Sequence, residues 1–579
     1  MVVIVICATL LAGSASATFV QQQQLTVTDA TNLGDSVGLS ADGDTAVVGA
    51  SDDNAGAGAV FVFTRSDGVW SQPQKLTGNG TSGSFGTSVA VSAGGNTILV
   101  GDPGNDTDTG AGWVFARSSE SSSFVLVQEL IPGDADGDAG QSVSLSADGD
   151  TALLGAPGDG GGAGAAWVFT RTATKWSAPQ QLLGAGESGG QSAFGDSVAL
   201  SGDSSSAVVG GPDDGGGAGA VWFFTRSGSS YAPEGSKLGG ASEFGYSVAL
   251  SQSGQTAVIG APSAGGDVGT ASVLTRSGSG WDQQRLAGAE EIGAARFGAT
   301  VALSAAGSTA LIGGPDDSAE VGSAWLFTRT GSSFVLAEEK LPGDSAQGGF
   351  GTSVTLSGDG NTAVAGSPGT STGVEGTATV LVLPPAVTRV RPAAGPTAGG
   401  TSVTIIGSNL GGATSVRFGS RPARSFTVLS ADELTAVSPP GRAGTGAITV
   451  TTAARSTSSP TFEYTSPLLP RPTLTHVSES HHTTFRFTLN EPAKIKLVFT
   501  RHEPGRRSGG RCVAEIGANR TRPKCTRNLS AGTLMRSEPA GSDKLIIGKR
   551  LRAHTSYTVT ITATDTAGSR SRTARLSFR

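Results

Sequence analysis

The residues most able to do chemistry in this sequence are acids set close together in glycine-rich stretches: Asp52 and Asp53, Asp106 and Asp108, Asp213 and Asp214, Asp316 and Asp317. Carboxylates crowded on one face of a fold can hold a cation or form a ligand-binding rim. Asp beside Gly also suits tight, solvated turns, and turn chemistry is the expectation set against a site. Asp134, Asp136 and Asp138 alternate in GDADGDAG (133–140), but the distal Glu of a full calcium loop is missing. Calcium is left open on these loops; no cofactor is expected. A carboxylate pair for glycoside hydrolysis stands out nowhere from the turn pattern.

Other chemistries are confined to one end of the chain. All five histidines (His476, His481, His482, His502 and His554) lie beyond residue 475. Ser-His-Asp and Cys-His catalysis, and zinc centres built on His or Cys, are therefore excluded from the region before it. HVSESHH (476–482) can chelate a metal through alternate residues, but a polar strand beside a linker is expected. No catalytic residue and no metal ligand is assigned. The cysteines are Cys7, Cys512 and Cys525. The last two are close in sequence, and in an exported domain that favours a local disulfide.

The acids recur because the sequence around them recurs. Seven ungapped copies of one phrase start at Leu33, Phe85, Ala139, Phe194, Phe244, Phe297 and Phe350, as in FGTSVAVSAGGNTILVGDP (85–103). A spacing of about 50 to 55 residues marks a propeller or solenoid. Each period holds a hairpin, an acidic Gly-rich loop, a third strand such as AWVFTR (166–171), and a fourth strand such as WSQPQKL (70–76). Such four-stranded antiparallel units are the blades of a propeller. The seventh unit stops after its third strand, TATVLVL (377–383), whereas FVQQQQLTV (19–27) matches the fourth-strand phrase. Pairing of 19–27 into the last blade is expected to close the ring and hide an edge.

Two sets of large side chains repeat with the phrase. Trp113, Trp167, Trp222 and Trp325 share a third-strand position, and Trp70, Trp176 and Trp281 open the fourth strand. Aromatic sugar platforms are one use; packing between blades is expected. Arg65, Arg117, Arg171, Arg226, Arg276 and Arg329 follow the third strand. They are expected to tie the outer turn of each blade.

Phe-Gly at the start and Gly-Ala-Pro at the end of these copies resemble the FG-GAP repeat family, the blade unit of integrin α-chain propellers and of many bacterial surface proteins. The resemblance spans residues 18–384 and implies a seven-bladed β-propeller. The family's calcium hairpin does not carry over. The corresponding turns, SADGDT, SAGGNT, SQSGQT and SAAGST, are too short and too poor in acids.

Residues 385–465 are similar to the IPT/TIG family, through Val390-x-Pro392, Gly395-Pro396, Gly399-Gly400, VTIIGSNL (403–410), VRFG (416–419) and VSPP (437–440). That resemblance implies an immunoglobulin-like sandwich. SPLLPRP (466–472) is a stiff linker. In 473–579, YTVTITATDTAG (557–568) resembles the late strands of bacterial fibronectin-III-like domains. The fold expected is therefore all-β: a seven-bladed propeller followed by two Ig-like β-sandwich domains.

Charge divides the chain. Residues 466–579 hold 21 Lys and Arg against 7 Asp and Glu, leaving 19 against 40 in residues 1–465. An acidic body makes nucleic acid a poor partner. The basic last domain, with its loop RHEPGRRSGGRC (501–512), can grip an anionic envelope polymer, or can simply be a solvated face. Residues 1–17 resemble a secretory signal with cleavage after Ala17, although no basic residue precedes the apolar run; a buried first strand is the other reading. No later segment has the length of apolar residues that a membrane span needs.

The function expected is a secreted or cell-surface, non-catalytic binding or adhesion protein. An extracellular protein or polysaccharide ligand would sit on the propeller's loop face, with the two sandwiches as spacer and attachment modules. The alternatives are an extracellular carbohydrate-active enzyme using loop carboxylates, and a purely structural surface protein.

Overall fold

A computed structural model describes residues 19–579 apart from 67, 79–82, 106–108, 120–121, 134–136, 173–174, 188–189, 241, 279, 338–339, 345–347, 370–374, 431, 453–455, 466–471, 481–483, 547–550, 553 and 567. The 1–17 signal, Asp106, Asp108, Asp134, Asp136, His481, His482 and most of the 466–472 linker lie outside the described residues. The chain divides into two compact units, Met1–Thr465 and Ser466–Arg579.

The fold is all-β. In the first unit the described residues form seven small antiparallel sheets, one for each copy of the repeated phrase. The first is typical: Val37–Leu39, Thr45–Ala50 and Ala59–Ser66 lie side by side, and Val69–Trp70 and Gln74–Leu76 both pair with Ala59–Ser66. The second strand is buried along its whole length in every sheet, as in TAVVGA (45–50) and TAVIGA (256–261). Such continuous burial needs β-branched and small residues on both faces, which is what the phrase supplies. In the seventh sheet the outer strand comes from the other end of the unit: Val20–Leu25 pairs antiparallel with Thr377–Val382, Val20 facing Val382.

The repeated Ser or Thr and the repeated Gly stitch neighbouring sheets together. Ser36 Oγ donates to the Gly86 carbonyl at 2.7 Å, and Ser88, Ser142, Ser197, Ser247 and Thr300 do the same to Gly140, Gly195, Gly245, Gly298 and Gly351. The series returns to its start, because Ser353 donates to Gly34 at 2.7 Å across 319 residues of sequence. A second series runs through the hairpin turns, from Ala41 N–H to the Ala93 carbonyl and onward until Gly358 N–H reaches Ala41. These contacts explain the glycines. A Cβ on Gly49 would stand 2.2 Å from the Gly86 carbonyl oxygen, and one on Gly366 would stand 1.9 Å from that of Gly34. Gly86 itself has φ +98, a backbone that L side chains avoid.

Two further sheets follow in the same unit. Strands Ala386–Arg391, Ser402–Ser408, Glu433–Val437 and Ser425–Ser430 form one; the other contains Ala413–Phe418, Gly444–Thr452 and Ser456–Thr465. Val403, Ile405, Phe418, Leu434, Ile448 and Phe462 share a buried core between them.

The second unit also has two sheets. Leu474–Ser480, Thr484–Leu489 and Gly541–Ile546 form the smaller. In the larger, Ala493–Ser508 is the central strand, between Lys524–Glu538 and Ser556–Thr564. Phe485, Phe487, Ile495, Leu497, Val559 and Ile561 fill its core. The basic stretch 501–512, expected as a loop, is strand through Ser508, because residues 524–530 pair with it rung by rung. Cys512 and Cys525 form a disulfide, with 6.0 Å between their Cα atoms.

Candidate functional site

The acidic loops follow the fully buried second strand of each sheet. In Asp53–Gly56, Asn54 and Ala55 have φ 54 and 59, and Gly215 and Gly216 take the same left-handed path in Asp214–Gly217. This turn sends the two acids of each pair in different directions. Asp52 and Asp213 are exposed and Asp316 is half-buried, whereas Asp53, Asp214 and Asp317 are buried. The buried member meets a lysine in or just before the last strand of its sheet: Lys75 Nζ is 2.6 Å from Asp53, Lys237 pairs with Asp214, and Lys340 is 2.8 Å from Asp317.

The same position changes partner along the repeats. Asp159 accepts from Gln181 at 3.2 Å, and where the residue is Asn105 it donates to Glu129 at 2.8 Å. Asp317 shows the electrostatics most plainly. Burial pushes its carboxyl up, but hydrogen bonds from Lys340, the Ile292 N–H, Ser323 and Ser318 outweigh it and leave the pKa below the usual carboxylate range. Asp53, Asp214 and Asp317 are thus committed to internal ion pairs, and Asp52, Asp213 and Asp316 are the members that face outward.

A second group of acids stands beside them. Asp35 and Asp196 occupy the variable position just before the serine of the repeated phrase. Asp35 accepts a short hydrogen bond from Ser51. Burial, and then the nearby Asp52 charge, raise its pKa against the lowering effect of that hydrogen bond. Asp196 is pushed up to about 6 by burial and by the charges of Asp213 and Glu243. Glu243 accepts from Ser263 at 2.7 Å, and Arg296 lies over the Tyr246 ring at 5.4 Å. Sequence reasoning missed Asp35, Asp196, Glu243 and Arg296; no single copy of the phrase distinguishes them.

The first strands of all seven repeated copies line one cavity of about 260 Å³. Its polar wall includes Asp35, Thr87, Gln141, Tyr246 and Thr352, and a belt of valines, including Val37, Val143 and Val301, lies two residues further along the strands. Among the described residues, no group of three or more His, Cys, Asp or Glu is placed to hold a metal ion.

The repeated aromatics face inward. Trp113, Trp167, Trp222 and Trp325 are all at least 95% buried, and Phe194–Trp222 and Phe297–Trp325 meet edge to face at 5.2 Å. Arg65, Arg117, Arg171, Arg226 and Arg276 lie over the aromatic that opens the fourth strand, at 5.2 Å for Arg65 on Trp70 and 4.5 Å for Arg276 on Trp281. Several also reach the preceding sheet, as Arg117 does to Thr45 at 2.8 Å. The hairpin aspartates are used locally: Asp42, Asp148, Asp203 and Asp359 each accept from the serine two residues before and from a backbone N–H two residues after.

Past the seventh sheet, residues 385–464 match the IPT/TIG domain family. This segment is an IPT/TIG domain. No curated protein matches this sequence. Among solved structures, Kuenenia stuttgartiensis hydrazine synthase is similar over 60% of this chain and 96% of that one, at 13% identity and a TM-score of 0.41. At that score the likeness carries no argument. The IPT/TIG domain has an open hollow of about 420 Å³ bordered by Phe418, Arg421, Arg442 and Tyr464. Arg421 donates to the Pro440 carbonyl at 2.6 Å, and the Tyr464 hydroxyl to that of Pro439 at 2.9 Å.

Proposed function

We propose that residues 18–384 are a seven-bladed β-propeller of the FG-GAP type, and that the protein is a secreted or cell-surface, non-catalytic binding or adhesion protein. The observation that carries the ring is the series of seven hydroxyl-to-carbonyl hydrogen bonds, which ends where it began at Gly34. The ligand, an extracellular protein or polysaccharide, sits where the outward acids surround the shared cavity. Asp35, Asp52, Asp196, Asp213 and Glu243 give that face its negative charge, and Tyr246 with Arg296 gives it a flat contact. Polar hydroxyls of a glycan or basic side chains of a protein suit such a surface. The IPT/TIG domain and residues 473–579 serve as spacer and attachment modules.

The test is a binding screen of the full chain against polysaccharides and matrix proteins, with and without calcium. Binding that Asp196→Asn and Tyr246→Ala weaken at least tenfold is expected. A ligand insensitive to both places the contact elsewhere. One observation favours a second reading: a carboxyl with a pKa near 6 suits a general acid. Glycan turnover abolished by Asp196→Asn would establish an extracellular carbohydrate-active enzyme and end the non-catalytic proposal.

A further inference from the structure

The second unit carries a feature that neither its core nor the proposed ligand face requires. Its two longest strands, Ala493–Ser508 and Lys524–Glu538, run beyond the hydrophobic core. On the central strand the last core residue is Phe499. From there the paired chains continue to the turn at Gly509–Gly510 and the short return strand Arg511–Ala514, an arm of roughly 25 Å at strand spacing. Within residues 501–530 only Gly505 and Asn519 are buried. With so little apolar surface to bury, hydrophobic burial does not hold this arm in place.

Cross-links hold it instead. The Cys512–Cys525 disulfide joins the return strand to the outer strand. Asn519 ties the connecting loop, accepting from the Ile516 N–H at 2.9 Å and donating to the Ala514 carbonyl at 2.8 Å. The arm's two acids are occupied as clamps. Glu515 takes Arg506 at 2.8 Å and Arg520 at 3.3 Å. Glu503 takes Arg501 at 2.9 Å and Arg527 at 3.6 Å. Residues 501–530 contain eight Lys and Arg and only those two acids. Arg507, Arg511, Arg522 and Lys524 are exposed, and none has an acidic partner among the ion pairs above. Fixing cations on a rigid arm removes the ordering cost that flexible Lys and Arg side chains on a mobile loop would impose on binding.

We propose that this arm is a docking surface for a linear anionic polysaccharide: the pairing register puts Arg511 and Lys524 on one face, where Arg522 reaches Ser508, to meet successive charged groups along the polymer, and Arg507, paired with Cys512, adds its charge from the other face. The shared chemistry is a repeated phosphate, carboxylate or sulfate on a glycan-like chain. The proposal is independent of the ligand face on the repeats and locates attachment in a different unit.

The test uses the full, oxidised chain and four immobilised probes, a phosphomannan, polygalacturonate, heparin and neutral dextran, with duplex DNA of equal charge as the comparison. The wild type is expected to bind at least one anionic probe, with affinity falling steeply as salt rises, and to ignore dextran. Arg507→Gln/Arg511→Gln/Arg522→Gln/Lys524→Gln is expected to lose at least tenfold in affinity and to lower the slope of log K against log salt by about 3 on the phosphate polymer. A matched variant, Lys494→Gln/Lys496→Gln/Arg570→Gln/Arg572→Gln, removes the same charge from exposed positions outside the arm and is expected to lose less than threefold. Equal losses from the two variants would mean a general charge effect and overturn the proposal. So would an absence of binding to all three polyanions, or stronger binding to duplex DNA of equal charge. The three anionic probes distinguish phosphate, carboxylate and sulfate sources.

Discussion

The seven-sheet region and the stapled arm solve the same problem by opposite means. The sheets bury long apolar strands and join each neighbour through a serine or threonine hydroxyl and a glycine carbonyl, so every contact is one of a series. The arm buries almost nothing and depends on one disulfide and two clamping glutamates. Their charges differ in the same sense. Three inner carboxylates of the repeats, Asp53, Asp214 and Asp317, are neutralised by lysines, whereas the exposed cations of the arm are left open to solvent. Repetition makes stability collective and local damage expensive; cross-linking makes stability local and chemically reversible.

Five experiments separate these two modes, and the first carries the largest effect. Gly366→Ala places a Cβ 1.9 Å from the Gly34 carbonyl oxygen, against backbone that cannot yield. Loss of about 4 kcal/mol or more, or failure of the first unit to fold, is expected in chemical denaturation. Gly412→Ala, which meets nothing within 4 Å, is the control.

Lys340→Met leaves Asp317 buried without its cation, and about 3 kcal/mol should be lost at neutral pH. Below the lowered pKa of Asp317 the carboxyl is protonated, so the deficit should shrink as acid is added. A deficit independent of pH would show that packing, not charge, set the effect. Cys512→Ser/Cys525→Ser releases a link spanning 13 residues, which should cost the second unit about 3 kcal/mol and leave the unfolding of the first unchanged. Reductant should reproduce the result in the wild type.

Asp196 tests the sign of an unpaired carboxyl. Its folded pKa of about 6 lies above the ordinary value of 3.8, so the folded state binds the proton more tightly. Its contribution to stability is fully present below about pH 3.8 and is lost as pH rises through 6. Asp196→Asn should raise stability at pH 7 by about 1 to 2 kcal/mol, after discounting for its half-buried position. It should also flatten the decline between pH 4 and 6.5. The smallest effect comes from Ser353→Ala, which removes the Ser353 hydroxyl bond from the last copy to the first. About 1 kcal/mol should be lost, no more than for Ser142→Ala within the series.

Much of the architecture was legible because the phrase states its contacts. The Gly of Gly-Ala-Pro, the Gly of Phe-Gly and the following serine are the groups that touch across sheets, so their recurrence in sequence is the contact pattern itself. The IPT/TIG segment was legible for a similar reason: its glycines and prolines sit at fixed turns. The acids were harder. Asp52 and Asp53 look alike in sequence, and only the left-handed turn at Asn54 and Ala55 separates an exposed carboxyl from one paired with Lys75. Asp35 and Asp196 were invisible because the position varies between Asp, Thr, Gln, Tyr and Ala along the copies. Their charge matters through neighbours from other parts of the repeat. The stretch 501–512 was read as a loop because Gly, Pro and Arg suppress strand signals; its pairing partner 524–530 lies past a turn that periodicity does not detect.

The pairing of Val20–Leu25 with Thr377–Val382 sets the order of events during biosynthesis. The first described strand has no place to go until the chain has been extended by more than 350 further residues, because its partner does not yet exist. Six sheets can form in turn as they emerge, but the seventh waits for both ends of the region to meet. A chain whose synthesis ends before residue 377 carries an unclaimed leading strand, and that exposed segment is a ready handle for a chaperone or a protease.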